Sequence, residues 1–172
     1  MTLEPTTWRI CFYSIVDNNI KWFQYRILHR IIGVQEALFK YKISDSNICR
    51  LCLNSVETIF HLFAECEISN TLWQNLLSWI HSSTGKVIQL DKSVKLLGFL
   101  RPATYFWPLN FILLITKYYI FSKARKLEQL NLHQLLNILK IKFLEEKTIA
   151  KVNSSSDNFT KNWSEWMSIF GI

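Results

Sequence analysis

The chain reads as an all-α protein, a multi-helix bundle with one small knuckle set between helices. Three observations point there. Apolar residues recur at helical spacing through most of the 172 residues. Four glycines and three prolines are too few turn formers for a sandwich or barrel of short strands. And 49% of the residues are hydrophobic and 15% aromatic, which excludes a disordered chain and suffices for a core at this length.

Taken in order, Thr6 or Thr7 can cap a first helix with Trp8, Cys11, Phe12 and Ile15 on its inner face. Asp17-Asn18-Asn19 signals a new start, and a second helix is expected from Ile20 to Ile32, closed by Gly33 as a left-handed cap. On its wheel Ile20, Phe23, Ile27 and Ile31 face the core. Trp22, Arg26, His29 and Arg30 share an outer or flanking arc. A tryptophan among cations suits a nucleic-acid backbone and an unstacked base; the alternative is a solvated face with Trp22 packed on a neighbouring helix.

Val34 to Tyr41 reads as a short helix, and a polar loop from Lys42 to Asn47 delivers Cys49. The next helix starts near Ser55 or Glu57, carries His61 and ends near Phe63, with Cys66 at or just past its end. Ser69 can cap a helix to about His81, with Leu72, Trp73, Leu76, Leu77 and Ile80 buried. Lys86 to Leu90 is a short strand or an extended linker, and Asp91 to Leu97 is helical. Pro102 and Pro108 bracket a loop before a long helix, Leu109 to Leu127. Another runs from Asn131 to Val152, with Leu132, Leu135, Leu136, Leu139, Phe143 and Ile149 inside. The serine-rich stretch 153–156 reads as a linker. It divides a helical domain, 1–152 with its knuckle at 48–67, from a C-terminal amphipathic helix, 157–172.

The chemistry concentrates in the pattern C-x2-C-x8-H-x4-C formed by Cys49, Cys52, His61 and Cys66. Soft thiolates and an imidazole are the donors tetrahedral zinc favours, and four protein ligands leave no open position for water or substrate. The expected cofactor is therefore one structural zinc ion. Disulfides are the competing use of four cysteines. The first residues have neither a basic start nor an apolar run, so an intracellular setting with reduced thiols, cytoplasmic or nuclear, is expected. The stretch from Tyr105 to Phe121 is broken by Pro108, Asn110 and Lys117, so it reads as a buried helix rather than a membrane span.

Net charge is +7 and the isoelectric point about 9.3, which fits a polyanionic partner. Its distribution is uneven. Leu51 to Gly85 contains no lysine or arginine but includes Glu57, Glu65 and Glu67, an acidic neighbourhood expected to repel phosphate. The candidate nucleic-acid contacts are therefore Lys21, Trp22, Arg26, His29 and Arg30 before the knuckle, and Lys123, Arg125 and Lys126 after it.

The run from Lys21 to Gly33, the C-x2-C, the Glu57-Thr58-Ile59-Phe60-His61-Leu62-Phe63 segment, Cys66 and Trp73 together resemble the zinc-binding C-terminal region of LINE-type (non-LTR) retrotransposon reverse transcriptases. The resemblance implies zinc-ligand roles for Cys49, Cys52, His61 and Cys66. It also implies contact with nucleic acid, RNA or a template duplex, and in a full-length relative a neighbouring polymerase domain. No catalysis is expected of this chain. Its four aspartates, Asp17, Asp45, Asp91 and Asp157, are never adjacent, as a two-metal polymerase site would require, and it has no phosphate-cradling glycine loop. The reading is a detached or truncated element without polymerase or endonuclease. The alternatives are a zinc-stabilised protein-interaction domain and a remnant with no selected activity.

Overall fold

The computed structural model describes residues 17–99 and 106–170; the expected helix around Trp8 and Cys11, and Pro102, lie outside them. The helices are α1 (Asn18–Leu28), α2 (Gln35–Lys40), a π-helical turn (His61–Glu65), α3 (Glu67–Thr84), α4 (Lys92–Leu97), α5 (Trp107–Lys126), α6 (Leu132–Val152), α7 (Ser156–Trp163) and a 3-10 turn (Met167–Phe170). Among the described residues there is no strand, only an isolated antiparallel bridge between Ile48 and Val56. The all-α expectation holds, and residues 86–90 belong to no helix or strand.

Asp17 caps α1, its carboxylate accepting from the Asn19 amide at 2.8 Å, an arrangement that stabilises a helix by about 1 kcal/mol. The helix stops at Leu28, not Ile32. Arg30 rather than Gly33 takes the left-handed conformation, φ 57°. The Arg30 amide donates to the Ile27 carbonyl at 3.0 Å, and that of Ile31 to Arg26 at 2.9 Å. This Schellman closure rotates the chain off the helical wheel. Ile31, expected in the core, is 63% exposed, and Ile32 takes its place at 1%.

The centre of the fold is α5. Every residue from Pro108 to Lys117 is buried, as befits a helix that is apolar nearly all round. Phe23 of α1 packs edge-on against Tyr118, its centroid 5.3 Å away, and lies 5.5 Å from Phe121 and 6.0 Å from Phe63 of the π turn. One ring thus ties three elements together. Lys117 is buried with them. Its ammonium donates to Gln24 Oε1 at 2.5 Å and to the Leu96 carbonyl at 2.7 Å, so it does not belong to any exposed cationic surface. Where α4 ends, Gly98 (φ 80°) lies so close to α5 that a Cβ would meet Asn110 Oδ1 at 2.6 Å. Asn110 uses that approach to bond both the amide and the carbonyl of Phe99, at 2.8 and 3.1 Å.

Two further boundaries differ from expectation. Helix α3 starts at Glu67 with Cys66 as its cap, so Ser69 lies inside the first turn and is buried. The last helix breaks after Trp163, and Met167–Phe170 is a separate 3-10 turn. Phe143, Trp163 and Phe170 nevertheless close on one another, with centroids 4.8 Å apart for Phe143–Trp163 and 4.4 Å for Phe143–Phe170. No helix among the described residues is long and apolar enough to cross a membrane.

Candidate metal centre

The C-x2-C pair sits on a tight turn. The Cys49 amide donates to the Ser55 carbonyl at 2.7 Å and the Leu53 amide to Cys49 at 2.9 Å. Leu53 takes a left-handed φ of 55°, and the Ile48–Val56 bridge closes the base. Thr58 then starts the next turn, its hydroxyl accepting from the His61 amide at 2.8 Å.

The segment from His61 to Glu65 is π-helical, and the ligand spacing gives a physical reason. Residues five apart on an α-helix point about 140° away from each other. A π turn, wider by one residue, brings them onto one side. Its i→i−5 bond here runs from the Cys66 amide to the His61 carbonyl, 2.7 Å, so it joins the two ligands themselves. The carbonyls that this turn directs away from an α ladder are taken up by α3. Ser69 Oγ donates to Leu62 at 2.7 Å, and the Trp73 indole N–H donates to Phe63 at 2.9 Å.

Together these elements bring one donor atom from each of Cys49, Cys52, His61 and Cys66 within 4.8 Å of the others. Cys49 Sγ and Cys66 Sγ are 4.0 Å apart, and Cys52 Sγ lies 3.4 Å from His61 Nε2. Tetrahedral zinc at ordinary bond lengths would space two sulfurs by about 3.8 Å and a sulfur–nitrogen pair by about 3.6 Å. The donor chemistry fits as well. A hydrogen bond from Cys49 lowers Cys66 to about 5 against the burial that opposes it. The same bond, with burial, pushes the Cys49 thiol up. Two buried sulfurs this close resist ionising together, and a divalent ion between them favours the thiolate form of both. The cluster is positioned to hold one metal ion, with four protein donors and therefore a structural role.

Beside the cluster is a feature that sequence reasoning missed. Glu57 is completely buried. Its carboxylate accepts from the amides of Gln35 at 3.0 Å and Arg50 at 2.9 Å. The Arg50 guanidinium completes the pair through Nε at 3.1 Å and a terminal nitrogen. Arg50, between the two cysteines, thereby ties the knuckle to the start of α2. The signal was an arginine inside the C-x2-C with a glutamate seven residues on, which charge counted along the chain assigns to opposite neighbourhoods. The acidic neighbourhood is corrected accordingly. Glu57 is neutralised by Arg50, and Glu65 is bridged by Lys92 of α4 at 2.8 Å.

The candidate nucleic-acid contacts fall into two groups. Trp22, Arg26, His29 and Arg30 are exposed and Lys21 is half-buried, all on α1 and the turn that ends it. Lys123, Arg125 and Lys126 occupy the last turn of α5. Lys123 is bridged to Glu128, Arg125 lies 5.8 Å over the Phe121 ring, and Lys126 is exposed.

Comparison with known protein families gives a match over residues 2–73 to the family described as zinc-binding in reverse transcriptase. The matched part holds all four cluster residues, and it is a zinc-binding domain, not a polymerase domain, that is detected. Neither the curated proteins nor the solved structures give a match. Residues 2–73 are thus similar to the family described as zinc-binding in reverse transcriptase, and the Cys3His cluster they contain is set to hold a single zinc ion.

Proposed function

We propose that this chain is a non-catalytic nucleic-acid-binding module of the LINE retrotransposon type, working inside the cell on RNA or a template duplex. Zinc fixes the fold, and the outer face of α1 grips the nucleic acid. One observation carries the reading. Ile20, Phe23, Gln24 and Ile27 of α1 are buried, while Trp22, Arg26, His29 and Arg30 around them face solvent. An exposed indole among cations offers a π-face and phosphate partners together. The α5 terminus is a second cationic surface. Its Arg125 covers Phe121, which touches Phe23 of α1.

The test is salt-dependent binding of labelled RNA and DNA. Replacing both Arg26 and Arg30 by alanine should weaken binding and lower the salt slope by about 2, roughly one for each phosphate no longer neutralised. Lys151→Ala, on the exposed side of α6, should change little beyond the general charge. Binding indifferent to salt and to the arginines would sink the proposal. A second reading, docking to a protein such as a polymerase domain, is favoured by Phe39, Tyr41, Ile43 and Leu53 around the knuckle, all largely exposed. It predicts weak salt dependence and loss of binding on Tyr41→Ala.

A further inference from the structure

The aromatic residues of α1 form a ladder. Trp22 and Tyr25 meet edge-to-face with ring centroids 5.1 Å apart, and Tyr25 lies 4.1 Å from His29, tilted by 41°. The three positions follow i, i+3, i+7, a single stripe along the helix. Trp22 is 61% exposed although Tyr25 holds its ring in place. An indole held by its neighbour at one side and open to water over most of its surface is an unusual use of a large apolar ring. Arg26 is exposed beside the stripe on α1, and Arg30 follows it on the left-handed turn that ends the helix.

We infer that this stripe is a stacking platform for single-stranded nucleic acid, with a base on Trp22 and the strand's phosphates on Arg26 and Arg30. This rests on the nucleic-acid reading above and narrows it. From Trp22 to His29 the helix rises about 10 Å, the length of about three nucleotides at 3.4 Å each. A duplex offers base edges and phosphates, which arginine, asparagine or glutamine can read from the major groove, but no base face for an exposed indole. The glutamine of α1, Gln24, is turned inward onto Leu96 and Lys117. What remains outward is aromatic faces and positive charge, a combination that grips unstacked bases with little regard to sequence.

The experiment uses the full zinc-loaded chain and fluorescence anisotropy at one salt concentration. The probes are oligouridylate, oligothymidylate and a blunt mixed-sequence DNA duplex of equal length. The single strands should bind more tightly than the duplex. Trp22→Ala should weaken single-strand binding about ten-fold, the equivalent of one missing base stack, and leave duplex binding alone. Trp22→Phe, which keeps a ring, should restore most of the loss, and Trp22→Leu, which keeps only bulk, should not. Zinc content and circular dichroism of each variant check the fold; if the alanine variant misfolds, the Phe and Leu pair decides. Equal or tighter duplex binding, or a Trp22→Leu protein that binds like wild type, overturns the platform while leaving salt-dependent nucleic-acid binding intact. No salt-dependent binding to any probe overturns both readings.

Discussion

Between residues 31 and 60, Ile31, Phe39, Tyr41, Ile43 and Leu53 are 48 to 75% exposed, while Glu57 and Arg50 lie inside beside Ile32, Val34 and Cys49. Between residues 143 and 170 the interior is aromatic instead, although Leu144 and Val152 of α6 face solvent. Phe143, Phe159, Trp163 and Phe170 pack on one another, partly stacked and partly edge-on, and Phe111 of α5 meets Trp163 at 5.1 Å. Segments shorter than about 40 residues seldom bury enough apolar area to hold themselves. The knuckle meets that limit with four metal donors and a buried ion pair, and so leaves its large side chains free to face outward. The C-terminal part, packed against the α5 stretch that is buried from Pro108 to Lys117, needs neither.

The contrast can be broken from the knuckle side first. Removing zinc by chelation, or Cys49→Ser, should unfold the segment around residues 47–66, because an apparent binding energy of about 10–16 kcal/mol is folding energy in such sites. Hydrogen exchange should show amides such as Cys49, Leu53 and Cys66 losing protection while those in the middle of α6 keep theirs. Equal loss in both regions would mean that the metal holds the whole molecule.

Next in size are the two interiors. Glu57→Gln leaves the Arg50 guanidinium without its counter-ion in a buried place, a change that costs about 3–5 kcal/mol. Trp163→Ala removes a fully buried ring and should cost about 3–5 kcal/mol as well. Urea midpoints measure both, and a zinc competition assay separates them. The Glu57 variant should hold zinc less tightly, since Glu57 bonds the backbone amide and side chain of Arg50 inside the C-x2-C. The Trp163 variant should hold it as wild type does. Ser69→Ala should be smaller, about 1–3 kcal/mol, because the buried Leu62 carbonyl loses its hydroxyl donor.

These residues also mark where the sequence was readable. The donor set and its spacing were plain, since only a few residue types ligate zinc and they stood within one short stretch. Long periodic helices were plain for the same kind of reason; α6 was expected from Asn131 to Val152 and differs only in that Asn131 is the cap. What could not be read depended on backbone bonds and on side-chain partners that residue type does not announce. The Schellman turn that moved Ile31 outward is set by backbone bonds, not by hydrophobicity. The π turn looked helical because its apolar residues still recur. Glu57, Lys117 and Ser69 are polar residues, and each is buried because a partner, up to 93 positions away for Lys117, satisfies it. Charge counted along a chain is a poor guide to charge on its surface whenever such pairs form.

The smallest effect belongs to neither interior but to the strap between the start of α1 and α6. Lys142 Nζ lies 2.8 Å from Asp17 Oδ2 and 2.8 Å from Glu145. Burial pushes the Asp17 carboxyl up, but the Lys142 ammonium and the Asn19 amide outweigh it and hold the group below its ordinary 3.8. A carboxyl lowered on folding stabilises the fold above its unfolded value, and that share is lost as pH falls through the folded value. Asp17→Asn keeps an oxygen for the Asn19 amide and loses only the charge, so it should cost about 0.2–1 kcal/mol at neutral pH. Acid also strips zinc from its thiolates, so the readout is the difference in urea midpoint between wild type and Asp17→Asn. That difference should be flat from pH 7 down to about 5 and close below pH 4, and it should shrink with added salt as the half-exposed pair is screened. A difference that persists unchanged in acid would assign the loss to the helix cap and not to the ion pair.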